Sequence, residues 1–237
     1  MGGKKKWMKQ TRHFRNGAIM AVLLLANSVA SHAQTGKRAE LDGVWILLRS
    51  NTETPKLTPA GEKARAAYDF QKDDPDMRCI PASFTRVMHT PSPPIEIRQR
   101  QDAVEINYEF MDVRRRVPLK KGLAAKDAPY TASKYPHMGR SVGQYDGETL
   151  VIETAGQRAG VLDTLGVPGL YQSDQMRTIE RFVANGNMMQ VTVTHYDPVY
   201  FLQPLIVHYT YLRLPGGKIL KWGCKPEEAT YERFITR

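Results

Sequence analysis

Two ionisable residues, Glu180 and His195, fall on the apolar side of a predicted hairpin. The hairpin turns at Asn185-Gly186, a two-residue turn signal between two strand-like runs. Because side chains alternate along a strand, counting outward from this turn places both residues on the face that carries Phe182. A carboxylate on such a face is costly unless it is paired or protonated, and burial raises its pKa toward the range of acid/base catalysts. Glu180 and His195 are therefore the candidate catalytic residues, for a proton transfer that needs no cofactor.

Glu180 also has a structural interpretation, in which a buried arginine or tyrosine holds the carboxylate as a polar brace. Arg140 is the candidate arginine, and it is predicted as a ligand-binding residue as well. His195 lies near the predicted end of its strand, where a histidine either faces a ligand or is hydrogen-bonded within the structure. The sequence leaves both interpretations open for each residue.

The other residues that often carry chemistry form no motif. The histidines after residue 33, apart from His195, are His89, His137 and His208. None of them shows metal-ligand spacing, and no HExxH or paired CxxC is present, so no metal site is predicted. GxSxG, Walker and GxGxxG motifs are absent too, which argues against serine hydrolases and nucleotide enzymes, and no cofactor is predicted.

Three aromatic residues are candidates for lining a ligand site. A hairpin predicted to turn at Gly216-Gly217 makes Tyr209 and Tyr211 alternate inward beside Trp222. Aromatic side chains inside a barrel are more often core than the wall of a lipophilic pocket. Both interpretations lead to the same prediction of placement, which is that these three rings lie together in the interior.

Two further hairpins are predicted upstream. One turns at Gln101-Asp102 and divides its strands into an apolar and a polar face, as in a half-buried sheet. The other turns at Asp146-Gly147 and pairs Arg140 with Glu153. One face of this second hairpin carries small residues on its first strand, which leaves a hollow that another element or a ligand must fill. These small residues are Gly139, Ser141 and Gly143.

The start of the folded region has a Gly-x-Trp sequence ending at Trp45, which resembles the opening of lipocalin-like barrels, where the tryptophan closes one end. Many antiparallel hairpins at short spacing indicate a barrel or a sandwich, and closure removes exposed sheet edges. We therefore predict an all-β fold, an antiparallel lipocalin-like β-barrel of about eight to ten strands. One short N-terminal helix is expected after Thr58-Pro59, which form an N-cap and a first helical position.

Several runs together resemble a large group of exported, mostly uncharacterised bacterial proteins. The resemblance implies an exported, β-rich domain and supplies neither a reaction nor catalytic residues. It covers nearly all of the chain after the leader. The runs are DPDMRCIPASFTR, PPIEIRQ, GRSVGQYDGETLVIETAG, RTIERF and THYDP.

Residues 1–33 have the pattern of a cleaved secretory signal peptide. A basic segment precedes an apolar stretch at 17–26, and residues 31–33 form a small-x-small cleavage site. We expect a periplasmic or secreted chain, with residues 34–237 as one barrel domain. The apolar stretch is too short to span a bilayer, so no stable membrane anchor is expected after cleavage.

Charge excludes one class of partner. The whole chain has a net charge of +10, but six of its basic residues belong to the leader. Their removal leaves 28 basic and 24 acidic residues, a net charge of +4, which is ordinary for a soluble surface. No nucleic-acid partner is therefore expected. The local basic runs at 114–116 and 120–121 are interpreted as solvated surface.

The two cysteines, Cys79 and Cys224, are predicted to form a disulfide, because an even pair in an exported chain enters an oxidising compartment. A nucleophilic thiol is the alternative, and it needs a basic neighbour and no bonded partner. Two long loops accompany this pair. Residues 72–94 are expected to fold over one end of the core, and residues 155–175 to form a flap.

Three functions remain open from the sequence. The first is an exported barrel that binds a small, largely apolar molecule. The second is a cofactor-independent isomerase, cyclase or lyase on the same barrel, with Glu180 and His195 as acid and base. The third is a structural domain of the envelope with a filled barrel. A roomy cavity beside Glu180 favours the first two, and a packed interior favours the third.

Overall fold

Nine strands of the described chain form one antiparallel sheet that curls into a nearly closed barrel, and two more form a small separate sheet. The computed structural model describes residues 38–90, 93–163, 167 and 169–226, so the predicted leader lies outside the described residues. In chain order the strands are β1 (Gly43–Thr52), β2 (Ile95–Gln99), β3 (Ala103–Tyr108), β4 (Arg114–Pro118), β5 (Arg140–Asp146), β6 (Thr149–Ala155), β7 (Gly160–Asp163), β8 (Leu170–Gln172), β9 (Arg177–Asn185), β10 (Met188–Tyr196) and β11 (Leu205–Arg213). The large sheet has the order β4-β3-β2-β1-β11-β10-β9-β6-β5. The predicted fold class, an antiparallel lipocalin-like barrel, is confirmed.

The two edges of the large sheet, β4 and β5, meet through a few contacts instead of a full ladder. Leu119 and Gly143 form a single parallel bridge between them. The backbone N–H of Arg116 donates to the carbonyl oxygen of Thr131 at 2.8 Å, so the segment before β5 fills the rest of the gap. This arrangement leaves little of either edge exposed for pairing with another chain.

One end of the barrel is closed by Trp45, as the Gly-x-Trp resemblance implies. Its side chain is fully buried, and its Nε1 donates to the carbonyl oxygen of Leu41 at 2.8 Å. The guanidinium of Arg213 lies over the ring at 4.1 Å. The opposite end carries the helices and β7–β8, and we call it the mouth of the barrel.

The hairpin β2–β3 has the predicted register. Gln101 and Asp102 form the turn, with Gln99 opposite Val104. The predicted core face is buried along both strands. Its buried members are Ile95, Ile97, Val104, Ile106, Tyr108 and, just beyond β3, Phe110.

The hairpins β5–β6 and β9–β10 have the predicted faces but turns one residue later than predicted. Gly147 and Gly186 each occupy the first central position of the turn, with φ of 58°. A glycine at this position is typical of a type II′ turn, and it moves the strand pairing by two residues. The predicted pair of Arg140 with Glu153 is therefore wrong, since Arg140 lies opposite Ala155.

The hairpin predicted at Gly216-Gly217 does not form. The chain does turn there, but residues 218–224 contain no strand. The reason is that β11 is already paired with β1 on one side and β10 on the other, so no edge is left. The segment instead crosses the outside of the barrel, where the backbone N–H of Leu220 donates to the Glu109 carboxylate at 2.8 Å.

The described helices are α1 (Pro59–Ala67), α2 (Phe70–Asp73) and α3 (Phe84–His89), with short 3-10 turns elsewhere. α1 begins as predicted, since Thr58 accepts a hydrogen bond from the backbone N–H of Gly61 at 3.1 Å. The sequence does not predict α2 or α3. α2 lies at the start of the loop predicted at 72–94, and α3 lies within it. No helix in the described ranges combines the length and hydrophobicity needed to cross a membrane.

The predicted disulfide is confirmed. Cys79 and Cys224 are bonded, with their Cα atoms 5.7 Å apart and a sequence separation of 145. The bond attaches the segment before α3 to the C-terminal crossing segment. Closure of so long a loop stabilises the fold by about 3–5 kcal/mol in the chain-entropy model.

Candidate functional site

Glu180 lies inside the barrel and is paired with Arg115 of β4. The two side chains are almost completely buried, with 2% of Glu180 and 1% of Arg115 exposed. Arg115 Nη2 donates to Glu180 Oε1 at 2.6 Å, and Nη1 donates to Oε2 at 2.9 Å. Both carboxylate oxygens are therefore held by one guanidinium, which is the brace arrangement.

Arg115 also organises the polar groups around this pair. Its Nη2 donates to Ser141 at 3.0 Å and to Thr154 at 2.9 Å, and its guanidinium lies 3.8 Å from the centre of the Phe84 ring. Burial alone would lower the pKa of Arg115, but the Glu180 charge more than offsets this and raises it. Burial also raises the pKa of the neighbouring Tyr108 to about 12. The guanidinium is therefore charged and the phenol neutral at any physiological pH.

The sequence does not predict Arg115 as an interior residue, and the interpretation of the run at 114–116 as solvated surface is wrong for Arg115, which is 1% exposed. In β4 only the middle arginine points inward, between the buried Val113 and Val117. This period-two alternation of valines around one arginine is the sequence signal that identifies it. The same contact explains Ser141 of β5, which binds the guanidinium, whereas Gly143 of the same strand lies against Val117 and Leu119.

His195 is fully buried and hydrogen-bonded on both ring nitrogens. Nδ1 lies 3.1 Å from the carbonyl oxygen of Leu205, and Nε2 lies 2.7 Å from the hydroxyl of Thr85. A carbonyl only accepts, so Nδ1 carries the proton and Nε2 accepts from Thr85. Burial lowers the pKa of His195, which keeps the ring neutral.

α3 fills the space between these groups. All six of its residues are buried, and two inward tyrosines bind its backbone: Tyr209 donates to the Thr85 carbonyl at 3.2 Å, and Tyr211 to the Met88 carbonyl at 2.7 Å. The interior hollow left beside Glu180 has a volume of about 10 Å³. Such a volume holds about one water molecule and no organic substrate.

Two predicted ligand-binding residues lie elsewhere. Trp222 is 39% exposed and packs edge-on against Phe110, on the outside of the barrel and away from the tyrosines. Its predicted interior position is wrong, because it depended on the missing fourth hairpin. Arg140 does not reach Glu180 either, since its guanidinium stacks on Tyr130 at 3.8 Å and donates to the carbonyl of Ala128 at 2.6 Å.

A second buried charge cluster, the mouth cluster, surrounds Arg86 of α3. Its Nε lies 2.7 Å from Asp76, and its other nitrogens lie 3.6 Å from Asp74 and 3.9 Å from Asp163. His89 Nδ1 lies 2.7 Å from Asp163. Three carboxylates thus share one arginine, and burial raises the pKa of Asp76 to about 6 despite the Arg86 charge.

Beside this cluster lies a hollow of about 240 Å³, which we call the mouth pocket. Its walls come from the segment before α3, from the turn before β5 and from β7–β8. The apolar part of the wall consists of Pro75, Ile80, Pro81, Ala82, Ala159 and Val161. The polar part consists of Asp73, Arg78, His137, Arg158, Gly160 and Gln172.

Three hydrogen bonds connect the wall segments to one another. His137 Nε2 lies 2.7 Å from the carbonyl oxygen of Pro81, and the backbone N–H of Arg158 donates to the carbonyl of His137 at 2.9 Å. Gln172 Nε2 donates to the Arg158 carbonyl at 2.8 Å. The pocket therefore has a frame that is formed before any ligand arrives.

Gln172 also lies between the mouth pocket and the interior hollow. Its Oε1 is buried and has no hydrogen-bond partner among the residues that the structure describes, and the same holds for Oε1 of Gln157. Buried polar atoms without a partner are uncommon in native structures. Two larger hollows exist on the outer sheet faces, of about 360 and 420 Å³, and both have open, mostly polar walls.

Comparisons with known proteins identify no family. No family model and no curated protein matches the chain. Among solved structures, the fluorescent protein UnaG is similar at 16% identity with a TM-score of 0.36, and a mutant of it at 18% with 0.35. Lipid binding protein 8 of Caenorhabditis elegans is similar at 10% identity with a TM-score of 0.35. The alignments cover 73% of this chain and 96%, 95% and 94% of the other chains, and likenesses this distant carry no argument about function.

Proposed function

We propose that this protein is an exported barrel, periplasmic or secreted, that binds a small, largely apolar molecule in the mouth pocket. The observation that carries the proposal is the pocket itself, a framed hollow of about 240 Å³ with an apolar wall. Ile80 in this wall is 42% exposed, so apolar surface is available to a ligand. Burial of such surface supplies roughly 25 cal/mol per Å² toward binding.

The interior is not the binding site in this proposal. A ligand there would have to displace Phe84, Val87 and Met88 of α3, which are almost fully buried. Each of these side chains contributes about 1.5–3 kcal/mol through burial, so their removal costs a large part of the stability of an ordinary domain. No observation favours the enzyme either, because Glu180 and His195 are both engaged in hydrogen bonds within the described structure.

A structural envelope domain is the second candidate, and the filled interior favours it. The two candidates differ in whether the mouth pocket takes a ligand. A thermal-shift screen against a metabolite library tests this directly, since a ligand of the folded state raises the melting temperature. If the protein is a structural domain, no compound of the library should raise its melting temperature.

The screen needs a variant in which only the pocket is closed. Gly160 is suitable, because a Cβ atom there has no neighbour within 4 Å and its φ is not positive. We expect Gly160→Phe to fold and to abolish the ligand-induced shift. Ala67→Phe, on the exposed face of α1, is the matched control and should keep the shift. A ligand shift that persists in Gly160→Phe would place binding elsewhere.

A further inference from the structure

We infer that the ligand of the mouth pocket is a small organic anion, with a carboxylate or similar group recognised by Arg158 and Arg78. The inference rests on the proposed function and adds the chemical class of the molecule. It depends on three features of the pocket, which are the unused guanidinium donors in its wall, its size and the position of its apolar wall.

The polar wall of the pocket keeps guanidinium donors available, while its acidic side chain, Asp73, already accepts hydrogen bonds from neutral groups. Asp73 Oδ2 accepts from the backbone N–H of Asp69 at 2.9 Å and from the hydroxyl of Tyr171 at 3.4 Å. Arg158 is exposed, and its guanidinium has no ion pair or hydrogen bond within the described ranges. Among the residues that the structure describes, Arg78 uses only Nη1, which donates to the Lys72 carbonyl at 2.9 Å. Donors therefore remain on two guanidinium groups at one pocket.

Guanidinium groups bind carboxylate and phosphate oxygens through pairs of parallel N–H donors, and these charge-assisted bonds are stronger than neutral ones. The backbone N–H and carbonyl of Arg158 are fixed by His137 and Gln172. The backbone position from which the Arg158 side chain extends is therefore held in place. This reduces the conformational entropy that a ligand must remove on binding.

Size and the apolar wall exclude a bare inorganic ion and a large lipid. The pocket is smaller than the roughly 300–1,000 Å³ typical of sites for drug-sized ligands. Ile80, Pro81, Ala82 and Val161 present apolar surface in the same pocket as the two arginines. A molecule with one short apolar or aromatic body and one anionic group matches both parts of the wall.

The test uses three probes with the ¹⁵N-labelled protein: benzoate, benzyl alcohol as its neutral analogue, and inorganic phosphate as an anion without an apolar body. Amide chemical shifts are followed for residues 78–80, 82, 137, 158–161 and 172 during each titration, since Pro81 has no amide proton. We expect benzoate to bind here about tenfold more tightly than either other probe. Arg158→Gln should weaken benzoate binding by about tenfold, whereas Arg65→Gln, an exposed arginine of α1, should not change it.

Each other outcome overturns the inference in an identifiable way. If benzoate and benzyl alcohol bound with equal affinity, or if Arg158→Gln left benzoate binding unchanged, the pocket would not recognise the anionic group. The mouth pocket would then be an apolar site only. If phosphate bound as tightly as benzoate, the ligand would not need an apolar body. No binding of any probe would overturn the inference, while the library screen with Gly160→Phe would still decide the proposed function separately.

Discussion

Arg115 is the residue on which the barrel interior depends most. It holds both oxygens of Glu180, two hydroxyls of neighbouring strands and the face of the Phe84 ring. A buried ion pair of this kind adds little net stability compared with an apolar core, but removal of one partner leaves a buried charge uncompensated. Glu180 is therefore a brace whose loss affects stability.

Glu180→Gln should destabilise the protein by about 3–5 kcal/mol, because Arg115 then keeps a full charge in a dry interior. Urea denaturation at pH 7 measures this change. Glu153→Gln is the control, since Glu153 is half exposed and 3.7 Å from Arg177, and it should cost less than about 1 kcal/mol. A Glu180→Gln protein as stable as the wild type would contradict the brace assignment.

Asp76→Asn should stabilise the protein near neutral pH. Burial raises the pKa of Asp76 in the folded state from 3.8 to about 6, so the folded protein binds a proton more tightly than the unfolded chain. The stability from this group is fully present below pH 3.8 and is lost as the pH rises through 6. Asparagine has no such charge to bury, so the variant should gain about 1–3 kcal/mol at pH 7.5.

The same variant should show almost no gain at pH 4, where Asp76 of the wild type is protonated. Denaturation curves of both proteins at the two pH values give the comparison. A gain that does not depend on pH would show that removal of the buried charge is not its cause. A loss of stability at pH 7.5 would show that Arg86 needs the ionised Asp76 and that Asp74 and Asp163 cannot compensate.

At the scale of elements, α3 converts an open barrel into a solid one. Ser83 caps the helix by accepting from the backbone N–H of Arg86 at 3.0 Å, and its own hydroxyl donates to the carbonyl of Leu162 in β7. The helix is thus bound to the interior tyrosines on one side and to the small sheet on the other. Its six residues give too little length for hydrophobic periodicity, which is why the sequence did not predict it.

Phe84→Ala should cost about 3–5 kcal/mol, because it removes a buried ring and opens a cavity above Arg115. Phe70→Ala is the matched control, since that ring is 45% exposed in α2, and it should cost less than about 1 kcal/mol. Thermal or chemical denaturation distinguishes the two. Equal effects of both changes would mean that α3 is only loosely docked in the barrel.

Turn chemistry explains which registers the sequence predicted correctly. The turn at Gln101-Asp102 has no glycine, and it lies where the count from both apolar runs places it. In the turns near Gly147 and Gly186 the glycine occupies the first of the two central positions. The first strand of each hairpin therefore ends at the residue before the glycine. The face assignments were correct nevertheless, because a shift of two residues keeps every side chain on its side.

Other features depend on contacts between distant parts of the chain, which local patterns do not contain. The partner of Glu180 comes from β4, 65 residues away, and the fourth hairpin is excluded because β1 already occupies the free edge of β11. The mouth pocket likewise combines four segments joined by tertiary hydrogen bonds. The disulfide is the long-range contact that the sequence does predict, since an even pair of cysteines in a chain expected to be exported is expected to bond.

For the molecule as a whole, the barrel is the support and, in the proposed function, the mouth is the part that meets a ligand. Trp45 closes one end, α3 fills the middle, and the disulfide fastens the mouth segment at Cys79. Binding sites on loops held by such a support are common among β-barrels and sandwiches. The location of binding is therefore the central claim about this protein.

A chemical-shift map of the ¹⁵N-labelled protein, recorded with the best ligand from the metabolite screen, tests this claim most directly. We predict perturbed amides at 78–80, 82, 137, 158–161 and 172, with α3 and the residues around Arg115 unchanged. Large perturbations at Thr85, Arg115, Glu180 and His195, with the mouth pocket unaffected, would contradict it, because they would show that the ligand displaces α3 and enters the barrel.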